Sequence, residues 1–466
     1  MPRLPLRLSR EAATAELAAA LAALRTQLEL PGDFPAEVLD DADRAVAAHL
    51  LPDLDLTGIP FVTIDPAGAT DLDQALALEP HGDGWRVFYA IADLPSFVTP
   101  GGAIDAEARL RGQTLYAADG RIPLHPPVIS EGAASLLPDQ ERAAFVWEFT
   151  LDASGATTSA RVLRARVRSR RQWSYQDAQR AIATEPMFGM LQTVGEARLA
   201  LESARGGASL ATPEILVERE AEGYLLERRV LSPIESWNAQ LSLMTGMSAA
   251  RMMLDAEIGI LRTMPPADPE AIEHFRRQTI ALGTPWPADE PYGDYLKRLA
   301  YDDPRQLAIR HAAGALFRGA SYRAFDGEPP EETVQSAIGA PYAHVTAPLR
   351  RLVDRFGLEV CVALSAGDGV PAWVREALPE LPSLMGRAAQ LAGRLDRRTL
   401  DTVEAAILSP HVGEEFDAIA ITDATIQLAD PAVEAACEGT LRPGDEVRVR
   451  LAAADIPSGV VRFVVA

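Results

Sequence analysis

The stretch FVTIDPAGATDLDQALALE, Phe61 to Glu79, places three aspartates, Asp65, Asp71 and Asp73, between two β-prone apolar runs. A solvated acidic run disperses its charges among polar neighbours, whereas these follow Phe-Val-Thr-Ile and precede Ala-Leu-Ala-Leu. If Thr63 to Asp65 ends a strand and Pro66 to Thr70 turns back, Asp71 and Asp73 point to one side of an extended chain. All three carboxylates can then converge. Converging carboxylates repel at neutral pH unless a proton or a cation neutralises them, and a hard, oxygen-seeking ion such as Mg²⁺ or Mn²⁺ is the natural partner. Such an ion commonly engages phosphates, which points to metal-assisted phosphodiester hydrolysis. An EF-hand is excluded by spacing, because the twelfth position from Asp65 is Leu76 and not a bidentate glutamate. The competing reading is that the aspartates cap turns or solvate a loop.

The length, 466 residues, implies a large central unit with one or two smaller ones. Cys361 and Cys437 lie far apart without metal-type spacing, which fits a reducing compartment and two core thiols. No apolar run is long enough for a signal peptide or a membrane span, so a cytoplasmic, monomeric protein is expected. The formal charge of −22 disfavours nucleic acid as a partner overall, although a local basic groove is compatible with it. The positive charge is almost all arginine, with Lys297 the only lysine.

Leu and Ala recur at helical spacing from Ser9, and after the stop signal Pro31-Gly32-Asp33 a second helical stretch begins at Pro35. Residues 1–57 are therefore read as an N-terminal helical segment. From Phe61 to Leu151 strands dominate, and Glu79 to Gly84 has hairpin chemistry. The reading turns largely helical after Ser174. From about Glu414 some five short strands suit a small OB-type barrel. The fold class is α+β, with a central unit over 58–410 and a barrel over 411–466.

TIDPAGATDLDQA, then YAIADLPSFVTPGGAIDAEARLRGQTLYAADGRIPLHP, then YAHVTAPLRRLVDR together resemble the RNB catalytic domain of the ribonuclease II family, in the family's order, from about Gly58 to Asp396. The resemblance implies a metal-dependent exoribonuclease that threads single-stranded RNA into a channel and releases nucleoside 5′-monophosphates from the 3′ end. It implies that Asp65, Asp71 and Asp73 are the first three members of an acidic quartet binding Mg²⁺ or Mn²⁺. The fourth position is Gln74, where aspartate is usual; a carbonyl oxygen still ligates Mg²⁺, with one charge fewer. Tyr116 matches a tyrosine that stacks near the RNA 3′ end, and Arg350, followed by Arg351, matches an arginine that reaches the scissile phosphate. His344 is read as a structural hydrogen-bonding residue. After Asp354 the chain departs from the family's His-Arg with RFGLEV, and Asp396 stands where a glutamate is common near the active centre.

Arg164, Arg166, Arg168 and Arg170 alternate, so one face of an extended strand is basic. It is either a track for RNA phosphates or a face neutralised by nearby acids. From His411 onward ten Asp and Glu stand against four Arg, a poor RNA surface for the terminal barrel. The short helical segment stands where the family has cold-shock barrels, so weaker grip on long RNA and lower processivity are expected. Two rivals stay open: an RNA-binding pseudoenzyme impaired by Gln74, and a metal phosphohydrolase of small substrates.

Overall fold

The computed structural model describes residues 6–7, 11–117, 120–208, 214–220, 223–229, 231–300, 303–428 and 433–466. Two helices, α1 (Glu11–Gln27) and α2 (Ala36–Ala48), lead into strands β1 (Phe61–Asp65), β2 (Gln74–His81) and β3 (Gly84–Ala92). Helix α3 (Ala103–Arg111) and the small hairpin β4 (Leu115–Ala117) with β5 (Gly120–Ile122) precede β6 (Glu141–Leu151) and the long β7 (Thr157–Ser174). Strands β1-β2-β3-β6-β7 close into a barrel, completed by parallel pairing of β7 with β1 that sets Ser174 beside Asp65. The expected hairpin is built on Gly82, whose φ of 59° lies in the left-handed region that glycine adopts without strain.

Alternation along these strands divides the side chains between two cores. Val62, Ile64, Leu76, Tyr89 and Trp147 pack with the helices that follow the barrel, whereas Phe61, Ala75, Ala90, Ala144 and Val146 join Val38 and Ala42 of α2. The first helices are therefore a docked layer of the central unit. After β7 come α4 (Tyr175–Ala181), α5 (Pro186–Ala204) and α6 (Pro233–Asp255). This region is largely helical, as expected, and also holds strand pairs that the pattern does not announce: Glu214–Glu220 pairs with Gly223–Arg229, and β8 (Ile258–Thr263) pairs with β9 (Ser321–Asp326). The second pair is six residues a side and packs against long helices, too short to impose a legible alternation of its own.

Helices α7 (Leu352–Ala366) and α8 (Leu381–Leu408) complete the central unit. Helix α8 joins three separate parts of the molecule. Its Val403, Ala406 and Ile407 meet Leu17, Leu21 and Leu24 of α1, Leu395 meets Leu115 and Ile122 of the β4–β5 hairpin, and Leu408 enters the core of the last barrel. Each such leucine removed from water contributes roughly 2 kcal/mol. The last barrel has β10 (Glu415–Ala420), β11 (Thr425–Leu428), β12 (Glu434–Glu438), β13 (Glu446–Asp455) and β14 (Val460–Val465) in the closed order β10-β11-β12-β14-β13. It is the expected five-stranded OB-type barrel. Among the described residues no helix is long and apolar enough to cross a membrane.

The irregular segment 342–351 threads between α6 and α7, and two glycines let it pass. A Cβ on Gly246 would lie 2.1 Å from the Tyr342 ring and 2.6 Å from the Ala343 carbonyl oxygen, and one on Gly357 would lie 2.8 Å from a Val345 methyl. Ala343 N also donates to Gly246 O (3.0 Å). Gly246→Ala is therefore expected to lower the free energy of unfolding by about 2 kcal/mol, within the range for overpacking. Urea denaturation of the two proteins measures it; an unchanged midpoint would refute the close approach.

Candidate active site

The loop from Pro66 to Asp73 leaves β1 and re-enters the barrel at β2, and its backbone is sewn down by residues distant in sequence. Leu72 N donates to Ser135 Oγ (2.9 Å), Ser135 Oγ donates to Thr70 O (2.7 Å), and Gln172 Nε2 donates to Ala69 O (2.8 Å). Asp73 thus arrives buried, at 3% exposure. Its Oδ1 accepts from Leu349 N (2.8 Å), and its Oδ2 faces Arg350 Nε at 3.5 Å. Burial pushes the Asp73 carboxyl up to about 8 against the opposing pull of Arg350. Asp65 is pushed up to about 7, first by burial, with Arg350 opposing and Asp71 adding repulsion. Its Oδ2 is buried without a hydrogen-bond partner. Two poorly compensated carboxylates therefore sit beside one guanidinium.

Asp71 is held differently. Arg121 of β5 ion-pairs with its Oδ1, while Arg121 Nη2 donates to Thr70 Oγ1 (2.8 Å) and lies 2.8 Å from Glu131 Oε1. The expected convergence of all three aspartates on one point is not what the loop builds: among the described residues, no three His, Cys, Asp or Glu side chains are grouped to hold a metal ion. The physical reason is Arg121, which draws Asp71 toward the hairpin. Gln74, placed fourth in the quartet, turns its amide NH₂ to the Thr346 carbonyl, leaving Oε1 as the side chain's oxygen donor. An orphaned buried carboxylate oxygen, a second carboxylate destabilised as an anion and an amide carbonyl are all hard oxygens, which suits Mg²⁺ or Mn²⁺ in kind.

Arg350 is half-exposed, with its side chain 47% accessible, and its carbonyl accepts from Thr114 N (3.0 Å) next to the hairpin. Tyr116 on that hairpin is half-exposed, and its phenol is raised by burial against the pull of Arg350, with Asp71 and Asp73 adding to the rise. The ring thus shares the carboxylates' field. Arg351, expected to bind RNA beside Arg350, is instead fixed to the buried Asp354 by Nε (2.8 Å) and Nη2 (2.7 Å). The turn sends consecutive arginines in opposite directions, one to the cleft and one inward. His344 is structural as expected: Nδ1 and Tyr322 Oη are 2.7 Å apart, and burial with the neighbouring arginines holds the ring well below its ordinary pKa. Arg355, in the departure RFGLEV, is fully buried, pairs with Asp105 (2.6 Å) and donates to Val98 O (3.1 Å), so it fastens α7 to α3.

Tyr175, partly buried against the main hydrophobic core, also lies in the field of Asp65. Its phenol is pushed up to about 12 by burial and then by Asp65, with Glu235 adding to the rise and an Asn238 hydrogen bond opposing it. Only the register that puts Ser174 beside Asp65 reveals this. The remaining expected RNA contacts do not gather here. Asp396 is exposed on α8, next to the Leu395 that packs under the hairpin. The alternating arginines of β7 share one face, but acids and backbone meet it: Arg164 pairs with Asp93 (2.7 Å) and also with Glu359, Arg166 pairs with Asp55 (2.8 Å), and Arg170 donates to Thr57 O (2.8 Å). Acids thus neutralise Arg164 and Arg166, while Arg168 and Arg170 make no ion pair among the described residues.

Residues 54–356 match the RNB domain, and residues 414–466 match the RNase II-type exonuclease C-terminal S1 domain. The chain belongs to the RNB family. It is 30% identical to ribonuclease R of Escherichia coli over 324 residues, 65% of this chain and 39% of that protein. The chain thus spans well under half the length of this relative. In fold it is similar to Mycoplasma genitalium RNase R (TM-score 0.86, 17% identity, 97% of this chain and 78% of that one). It is also similar to yeast Ssd1, a pseudonuclease (TM-score 0.67, 14% identity, 90% of this chain and 53% of that one). At these identities the likenesses to solved structures bear on the fold of this RNB chain alone.

The raised carboxyls make stability depend on pH in a definite direction. In the unfolded chain both aspartates ionise near 4, whereas in the folded chain they keep protons until about 7 and about 8. Between these limits the folded state binds more protons, so in chelator its stability falls as pH rises from 5 to 8. Asp73→Asn is expected to flatten that slope, as read by urea unfolding at each pH. Equal slopes for both proteins would mean that Asp73 is not buried as a carboxyl.

Proposed function

We propose that this chain is a metal-dependent 3′→5′ exoribonuclease that hydrolyses single-stranded RNA to nucleoside 5′-monophosphates. The observation that carries the reading is Asp73, buried and fixed by Leu349 N, facing the half-exposed Arg350, with the exposed Tyr116 ring within the field of the same charges. A phosphodiester brings negative charge that Arg350 meets. As charge develops on the phosphoryl oxygens, this guanidinium stabilises it, an effect worth about 10²–10³ in rate for a single well-placed donor. Tyr116 offers a face on which a terminal base stacks, worth about 1–3 kcal/mol. Asp65, Asp73 and the Gln74 carbonyl are the residues that would hold Mg²⁺ or Mn²⁺, and a bound ion supplies Lewis-acid polarisation of the phosphate. Similarity to ribonuclease R supports an RNA substrate, and the Mycoplasma protein of that name has been solved with ribose-methylated single-stranded RNA.

Gln74 favours a second reading, an RNA-binding pseudoenzyme, because its amide is engaged with Thr346 O where the family resemblance implies a fourth carboxylate. A time course on 5′-labelled single-stranded RNA with Mg²⁺, Mn²⁺ or chelator separates the two. The expected result is a metal-dependent shortening ladder, lost in Asp73→Asn and slowed about 100-fold or more in Arg350→Ala. Intact RNA under every condition with binding retained would establish the pseudoenzyme. Gln74→Asp is expected to tighten Mn²⁺ binding yet lower metal-free stability by about 1 kcal/mol, since a carboxylate cannot donate to Thr346 O. Calorimetric titration and urea unfolding read these two effects separately; unchanged metal affinity would sink the electrostatic account of Gln74.

A further inference from the structure

Arg121 is a second guanidinium in the carboxylate cleft, contributed by the hairpin that also carries Tyr116. It reaches the Asp71 carboxylate, Thr70 Oγ1 (2.8 Å) and Glu131 Oε1 (2.8 Å), and Thr70 Oγ1 donates onward to Glu131 Oε2 (3.0 Å). The side chain is 28% accessible, as is that of Glu131, so this is a partly desolvated cluster in which charges couple more strongly than on an open surface. When ionised, Asp65, Asp71, Asp73 and Glu131 bring four negative charges, and Arg121 and Arg350 bring two positive ones. Arg351 and Asp354 cancel as a pair. Two negative charges remain, the charge of one divalent ion.

Resting on the metal reading proposed above, we infer that Arg121 is a positioning residue that substitutes for a second divalent cation, holding Asp71 so that the site takes a single ion at Asp65 and Asp73. The neutral Gln74 belongs to the same arrangement: with aspartate there, or without Arg121, the cleft would carry a third uncompensated charge and attract a further cation. The guanidinium is tethered, so it occupies its place at any metal concentration. The hairpin that presents Tyr116 is pinned to the carboxylate loop by the same contact.

The test counts bound Mn²⁺ by the loss of its free-ion paramagnetic resonance signal, in about 150 mM KCl to screen the acidic surface. Asp73→Asn defines the background. Above it, the wild-type chain is expected to bind one ion, Arg121→Gln two, and Arg121→Lys, which keeps the charge, one. Circular dichroism checks that substitution of this partly buried side chain leaves the fold intact, and Arg121→Lys guards against a general loss of structure. An Arg121→Gln protein that binds the same number of ions with the same affinity as wild type would overturn the inference and leave the metal reading standing. A wild-type chain with no Mn²⁺ above the Asp73→Asn background would overturn both.

Discussion

The structure depends on one buried contact, the hydrogen bond from Leu349 N to Asp73 Oδ1 (2.8 Å), made across 276 residues of chain. It ties the barrel hairpin to the segment that delivers Arg350, and Gln74 makes a parallel tie to Thr346 O. A buried carboxylate without compensation costs several kcal/mol, so Asp73 is tolerable only where a backbone donor and a guanidinium reach it. That requirement explains why segment 342–351 runs so close between α6 and α7, with Gly246 and Gly357 leaving no room for a Cβ. Packing and chemistry are here one constraint.

The hairpin bearing Tyr116 is fixed from three sides. Leu115 and Ile122 rest on Leu395 of α8, Thr114 N donates to Arg350 O, and Arg121 reaches Asp71. Each contact ties it to a different segment, one to α8, one to segment 342–351 and one to the loop after β1. The Tyr116 ring, Arg350 and the carboxylates therefore keep their mutual placement without depending on any one element.

Local pattern made much of this legible in the sequence. The apolar setting of Asp65 to Asp73, the period-2 strands around it, the helices of residues 11–48 and the terminal barrel were all readable from alternation and turn chemistry. What pattern could not supply was partnership at long range. The alternation of Arg164 to Arg170 correctly placed them on one face, but Asp55, Asp93 and Glu359 come from elsewhere in the chain to neutralise it. Arg350 and Arg351 are adjacent and chemically identical, and only the buried Asp354 shows that they serve different purposes. Arg121 lies 50 residues from Asp71, and nothing in its neighbours signals the contact.

A chain with a formal charge of −22 must attract RNA, if it does, through a local field. Part of the positive charge outside is already matched: Arg164 and Arg166 of β7 are paired with acids, and on the terminal barrel Arg448 lies 3.1 Å from both Glu415 and Asp417. The cleft itself is acidic until it holds a cation. On the metal reading proposed above, a cation that neutralised Asp65 and Asp73 would favour entry of phosphate beside Arg350, and affinity for either ligand would then be conditional on the other, a reciprocal coupling that follows from charge alone.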